Sequence, residues 1–76
     1  MEWQQYITSD ENILLGKPTI KGTRISVELI LELLSTGWNE NQILEAYPNL
    51  SSESIKAVYH YLKSCMKQEF YFPIPA

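Results

Sequence analysis

Asn39-Glu40-Asn41-Gln42-Ile43-Leu44-Glu45-Ala46-Tyr47-Pro48-Asn49-Leu50-Ser51-Ser52-Glu53-Ser54-Ile55 is the stretch that decides the architecture of this chain. Asn39 is a helix-capping residue, Glu40 stands where the helix dipole favours an acid, and Ile43, Leu44, Ala46 and Tyr47 follow as a core-facing side. Pro48 stops that helix, because it has no N–H to donate and its ring clashes with the preceding turn. Ser51 caps a new one, with Glu53 in the first turn and Ser54 where the reciprocal partner of a capping box would stand. A short helix, a tight turn and a longer helix make the pattern of a helix-turn-helix domain. Asn39 to Tyr47 is the positioning helix and Ser52 onward the recognition helix.

Downstream, Ile55, Val58, Tyr59, Leu62 and Met66 are expected to form the apolar stripe of the third helix. Lys56, His60, Lys63 and Lys67 recur at i, i+4, i+7 and i+11 on its other side, which makes that exposed face basic. Upstream, Val27, Ile30, Leu31 and Leu34 fall at i, i+3, i+4 and i+7, with Leu29 and Leu33 widening the stripe of a first helix. Ser26 caps it and Gly37 ends it. Before it lies Gly16-Lys17-Pro18-Thr19-Ile20-Lys21-Gly22-Thr23-Arg24-Ile25, where a hairpin-like turn at Lys21-Gly22 requires a positive backbone angle at Gly22. Tyr6-Ile7-Thr8 is a brief strand, Ser9 to Asn12 a turn, and Ile13-Leu14-Leu15 either a helical turn or a second extended piece. The expected fold is mostly α: a three-helix helix-turn-helix domain over residues 1–69 with short N-terminal strands, then an apolar tail over residues 70–76.

A chain of 76 residues is one domain that buries only about 60% of its unfolded surface, so a second copy or a partner could supply missing burial. Its first residues carry an acid and lack a continuous apolar stretch, unlike a secretory signal, and no segment has membrane-spanning length. Cys65 is the single cysteine, compatible with a reducing cytoplasm and with a small packing role. The net charge of −3 is unevenly spread. Lys17, Lys21 and Arg24 form one basic cluster and Lys56, Lys63 and Lys67 another, while Glu28, Glu32, Glu40, Glu45 and Glu53 lie between Arg24 and Lys56 with no Lys or Arg among them.

On this reading Ser52, Lys56 and His60 face DNA from the first turns of the third helix, Lys63 reaches phosphate, and Lys21 at its turn tip is a further phosphate contact. Arg24 either contacts phosphate or pairs with a glutamate of the first helix, and the pairing is the favoured expectation. The same pattern also fits a three-helix bundle with an incidental polar face. Phe70, Tyr71, Phe72 and Ile74 crowd an end that cannot be helical beyond Pro73, and either fold back or occupy a groove on a partner. Gly16-Lys17 lacks the spacing of a phosphate-binding loop. His60 has no second ligand for a metal, and Cys65 and His60 lie on poorly matched helix faces, so no nucleophile, base and orienting group assemble. The chain reads as a non-enzyme without cofactor or metal.

Gly16-Lys17-Pro18-x-Ile20-Lys21-Gly22-Thr23-Arg24-Ile25-x-Val27, followed by Gly37 and by Ile43-Leu44-x-x-Tyr47-Pro48-x-Leu50-Ser51, resembles the prokaryotic domain-of-unknown-function 433 family from about Tyr6 to Leu62. The resemblance implies a homeodomain-like helix-turn-helix fold preceded by small strands. It also implies an antitoxin-like role in a type II toxin-antitoxin system: binding a PIN-like nuclease toxin and, alone or as the complex, binding promoter DNA. This chain departs from the family pattern at Leu15, where many members have another glycine, and at Ser52-Glu53-Ser54, where a strong DNA reader would show more Arg or Lys. Two function classes stand open. One is a DNA-binding antitoxin, a homodimer on paired half-sites; the other is a protein-binding module whose acidic first and second helices mask a nuclease by charge mimicry without touching DNA.

Overall fold

The computed structural model describes residues 1–69 and 73–75. Two short strands, β1 (Ile7–Thr8) and β2 (Thr19–Ile20), pair antiparallel with Ile7 opposite Ile20 and Thr8 opposite Thr19. Three helices follow, α1 (Val27–Ser35), α2 (Glu40–Ala46) and α3 (Ser52–Lys67). A 3-10 turn, Trp3–Gln5, precedes β1 and packs against α3. The chain is thus a mostly α, three-helix domain with a short N-terminal strand pair, and α2 and α3 are joined in helix-turn-helix order.

Each helix contributes one fully buried β-branched side chain or more to a common centre: Ile30 from α1, Ile43 from α2, Ile55 and Val58 from α3. Ile7 and Ile20 close the core from the strands, Val27 from the start of α1, and Ile25 and Leu50 from the connections. Truncating one of the central isoleucines to alanine costs about 2–5 kcal/mol, a large share of what a domain this small has to spare. The polar groups that the core encloses are all satisfied: every buried side-chain nitrogen and oxygen among the described residues has a hydrogen-bond partner.

All three helix starts are capped by the residues that the sequence singles out. Ser26 accepts from the Leu29 N–H at 2.9 Å, and Asn39 and Gln42 form a reciprocal box at 2.9 and 2.8 Å. Ser54 does stand in for the reciprocal Glu: its Oγ accepts from the Ser51 N–H at 3.4 Å while Ser51 Oγ accepts from the Ser54 N–H at 3.2 Å. At the far end of α1, Gly37 adopts φ 101°, which lets its N–H reach Leu34 O and the Trp38 N–H reach Leu33 O. That pair of bonds is a Schellman ending.

The turn at Lys21-Gly22 forms with Gly22 at φ 78°. The Ile20 N–H donates to Ile25 O at 2.9 Å and the Val27 N–H to Pro18 O at 2.9 Å, so the second arm of the turn feeds directly into α1. The strand partner of Thr19–Ile20 is nevertheless β1, with only an isolated bridge from Thr19 to Ser26 on the other side. Ile13-Leu14-Leu15 resolves as a turn of unusual hand. Leu14, Leu15 and Gly16 lie at φ 50°, 57° and 82°, and the turn is closed by Gly16 N–H to Ile13 O and Lys17 N–H to Leu14 O.

The apolar stripe expected for α3 needs correction. Tyr59 and Met66 are 50% and 58% exposed, while Ala57 is fully buried and Tyr61 is half-buried. The cause lies at the N-terminus: Trp3 meets Tyr61 edge-on with ring centroids 5.0 Å apart, which draws the covered arc of α3 toward Ala57 and Tyr61. Ala46, expected in the core, is exposed at the end of α2. No helix among the described residues is long and apolar enough to cross a membrane.

Two outcomes test this packing. Leu15 is 94% exposed. A left-handed leucine costs about 1–2 kcal/mol, more than the extra chain entropy of a glycine at about 0.5–1 kcal/mol, so Leu15→Gly should raise stability by roughly 0.5–1 kcal/mol. Urea unfolding measures it, and a loss would show that the leucine side chain packs. Burial, aided by the neighbouring Cys65 thiol, pushes the Tyr61 phenol up. A raised folded value means that its contribution to stability is complete below the unfolded value of about 10 and is lost as pH rises through the folded one. Thermal scans should therefore show an alkaline fall in stability that is shallower in Tyr61→Phe.

Candidate nucleic-acid interface

Helix α3 is placed by its first turn and its covered side. Ser51 and Ser54 hydroxyls sit 3.1 Å apart in the capping box, and Leu50, just before them, is buried with its N–H on Tyr47 O at 2.9 Å. With Ser54, Ile55, Ala57 and Val58 buried, the rotation of α3 about its axis is fixed. The opposite side presents Lys56, His60, Lys63 and Lys67, all exposed. At 1.5 Å per residue, Lys56 to Lys67 spans about 16 Å along the axis.

Tyr59 and Met66 border this stripe on one flank, and Glu53 borders it near the helix start. Among the described residues the one ion pair is Lys17 with Glu28, at 2.9 Å on the surface, so the lysines of α3 keep their charge unpartnered. A stripe of free ammonium groups beside a half-exposed aromatic ring suits a polyanion: the charges meet phosphates and the ring offers a face to a base or sugar.

The other expected contacts fall differently. Ser52 is half-buried and its hydroxyl donates to Glu53 Oε2 at 3.3 Å, which ties it to an acid at the N-terminal end of the stripe. Lys21 lies outside the stripe. Its N–H bonds Tyr6 O at 2.8 Å and its Nζ bonds Gln4 O at 3.2 Å, on the side from which Trp3 reaches Tyr61. Arg24 is exposed, and the pairing expected of it with a glutamate of α1 is made by Lys17 instead. The reason is the Val27 N–H to Pro18 O bond, which brings the residue before Pro18 alongside the first turn of α1. Phe70, Tyr71 and Phe72 lie outside the described residues; Ile74 is 90% exposed.

Tyr59 and Met66 are the neighbours of the lysines that sequence reasoning assigned to the core. Their apolar periodicity is equally compatible with either flank of the buried arc, and tertiary packing, including that of Trp3 on Tyr61, decides between them. No three His, Cys, Asp or Glu side chains among the described residues converge as metal ligands.

Comparison with known proteins agrees with this architecture. The family model described as protein of unknown function (DUF433) matches residues 7–62. The uncharacterized protein y4eO of Sinorhizobium fredii is 31% identical over 61 residues, which is 80% of this chain and 28% of that protein. The crystal structure of a DUF433 member from Anabaena variabilis superposes with a TM-score of 0.77 at 28% identity, covering 86% of this chain and 64% of that one. The chain therefore spans just over a quarter of the curated relative and just under two thirds of the solved one. With the match running through the strand pair, all of α1 and α2 and most of α3, this chain belongs to the DUF433 family.

Proposed function

We propose that the chain is an antitoxin-like protein that binds a PIN-like nuclease and contacts promoter DNA through the exposed face of α3. The observation that supports the DNA-binding half is the stripe of Lys56, His60, Lys63 and Lys67 on the second helix of a helix-turn-helix pair, free of carboxylate partners among the described residues in a protein whose net charge is −3. Lys56 and Lys63 lie two turns apart on a rigidly capped helix, a spacing suited to phosphates flanking a groove. Homodimerisation would place two such helices on paired half-sites. The nuclease-binding half rests on the family resemblance.

A second reading draws on the acids. Glu28, Glu32 and Glu45 are exposed on α1 and α2, with no basic residue between Arg24 and Lys56. As a charge mimic this surface would cover the nucleic-acid groove of a nuclease without DNA binding by the chain itself.

Charge reversal separates the two. Lys56→Glu with Lys63→Glu should abolish duplex DNA binding by the wild-type route and leave thermal stability within about 0.5 kcal/mol, since both side chains are exposed. For the wild type, log affinity against log salt should fall with a slope near −0.9 per phosphate contacted. A flat salt response, or unaltered affinity in the double variant, removes α3 as the DNA-binding element and leaves charge mimicry as the better reading.

A further inference from the structure

Leu14 and Leu15 stand in left-handed backbone geometry, and Leu15 turns an almost wholly exposed isobutyl group to solvent. Neither the core nor the lysine stripe uses that leucine. Beside it, Leu14, Leu15, Lys17, Ser26 and Glu28 line a shallow depression of about 410 Å³. Glu28 also belongs to the wall of a longer groove of about 530 Å³ between α1 and the C-terminal half of α3. Pro18, Val27, Leu31, Tyr61, Leu62 and Cys65 form its apolar floor, and Glu28 and Glu32, one turn apart on α1, stand along its rim. The two depressions adjoin at Glu28, which lines both, and are taken together as one surface. It is open along its length, which suits a segment of a macromolecule better than a small molecule.

We propose that this surface is the docking site for an amphipathic, basic helix of a partner protein, with Leu15 as the knob that inserts between its side chains. An apolar floor under a carboxylate rim matches a segment that pairs apolar residues at helical spacing with flanking Lys or Arg. Lys17 offsets Glu28 through their surface pair and Glu32 has no ion-pair partner among the described residues, so the rim remains net acidic. A leucine held in strained backbone with its side chain in water gives the isolated fold nothing, and it gains its burial only against an occupant. Tyr61, Leu62 and Cys65 lie across α3 from Lys56 and Lys63, so the docked helix and a nucleic acid engage opposite sides of one helix and bind together. The inference rests on the partner-binding half of the proposed function and names the surface and chemistry of that contact.

The test uses the full chain and two fluorescent probes: a short peptide of leucine and lysine at helical spacing, and its leucine–glutamate counterpart. The lysine peptide should bind, the glutamate peptide should not, and amide shifts should move at Leu31 and Leu62. Leu15→Gly should weaken binding about tenfold or more, from loss of one buried leucine, while unfolding shows the protein no less stable. Glu28→Lys with Glu32→Lys should weaken it about tenfold at low salt, whereas Glu45→Lys on α2 and Lys56→Glu with Lys63→Glu should leave it unchanged. Equal binding of both peptides, shifts confined to other surfaces, or an unaffected Leu15→Gly overturns the proposal. Binding that emerges only on removal of residues 70–76 assigns the groove to the chain's own tail. Concentration-dependent dimerisation lost in Leu15→Gly assigns it to a second copy, and either result also overturns the basic-helix assignment. A nuclease that still copurifies with Leu15→Gly and the Glu28, Glu32 double variant would refute this surface while keeping the antitoxin reading, whereas failure of that reading appears as no nuclease recovered with the wild type.

Discussion

The rotation of α3 about its own axis is the constraint on which the rest of the molecule depends. Ser54, Ile55, Ala57 and Val58 must face inward, and once they do, every other side chain on sixteen residues of helix has its direction set. The anchoring comes from two separate parts of the chain. Leu50 and the Ser51–Ser54 box fix where the helix starts, and Trp3, reaching across from the N-terminal 3-10 turn to Tyr61, fixes how it is turned. A helix held at its start and along its side can offer a surface whose charges keep a constant spacing, and the stripe of Lys56, Lys63 and Lys67 is the consequence.

The segment from Gly16 to Ser26 is the second joint. Its hydrogen bonds connect three elements at once: Lys21 N–H to Tyr6 O joins it to the end of the 3-10 turn, Ile20 N–H to Ile25 O closes it on itself, and Val27 N–H to Pro18 O hands it to α1. Thr19 is buried at its centre, with its hydroxyl directed at Thr8 O 3.4 Å away. A Cβ at Gly22 would meet no atom within 4 Å, so the glycine is required by its backbone angle alone. Leu15 breaks that economy, since a side chain occupies a left-handed position where the fold would accept a glycine at lower cost.

The elements that local chemistry specifies were legible in the sequence. Ser26, Asn39, Ser51, Gly37 and Pro48 are punctuation whose physics acts within four residues, so the helix limits and the turn at Gly22 could be read directly. Side-chain direction was less legible. Tyr59 and Met66 fall at helical spacing from Ile55 and Val58, yet they are exposed, because the choice of flank belongs to tertiary contacts such as that of Trp3 with Tyr61, more than fifty positions away. The same holds for the ion pair of Glu28, which goes to Lys17 rather than Arg24 through a backbone bond no pattern encodes. At the site, the stripe of lysines was readable from period alone. The commitment of Ser52 to Glu53 and of Lys21 to Gln4 was not, since both depend on the geometry of exposed polar contacts.

Net charge and local charge pull in opposite directions in this molecule, and distance decides between them. The domain measures 40 × 30 × 25 Å, whereas at physiological ionic strength exposed charges are screened beyond about 8 Å. A phosphate drawn against Lys56 and Lys63 would feel those ammonium groups and Glu53 at full strength. The carboxylates of Glu28 and Glu32, beyond the core on the far side of α3, would reach it only as a faint background. A net charge of −3 would therefore slow the approach of a polyanion from a distance without cancelling an attraction at contact. The same separation serves the acidic rim: a basic segment lying over Leu31 and Leu62 would face Glu28 and Glu32 with the lysines of α3 turned away. Two surfaces of opposite sign can coexist on so small a domain because one helix divides them, and its buried arc holds them apart.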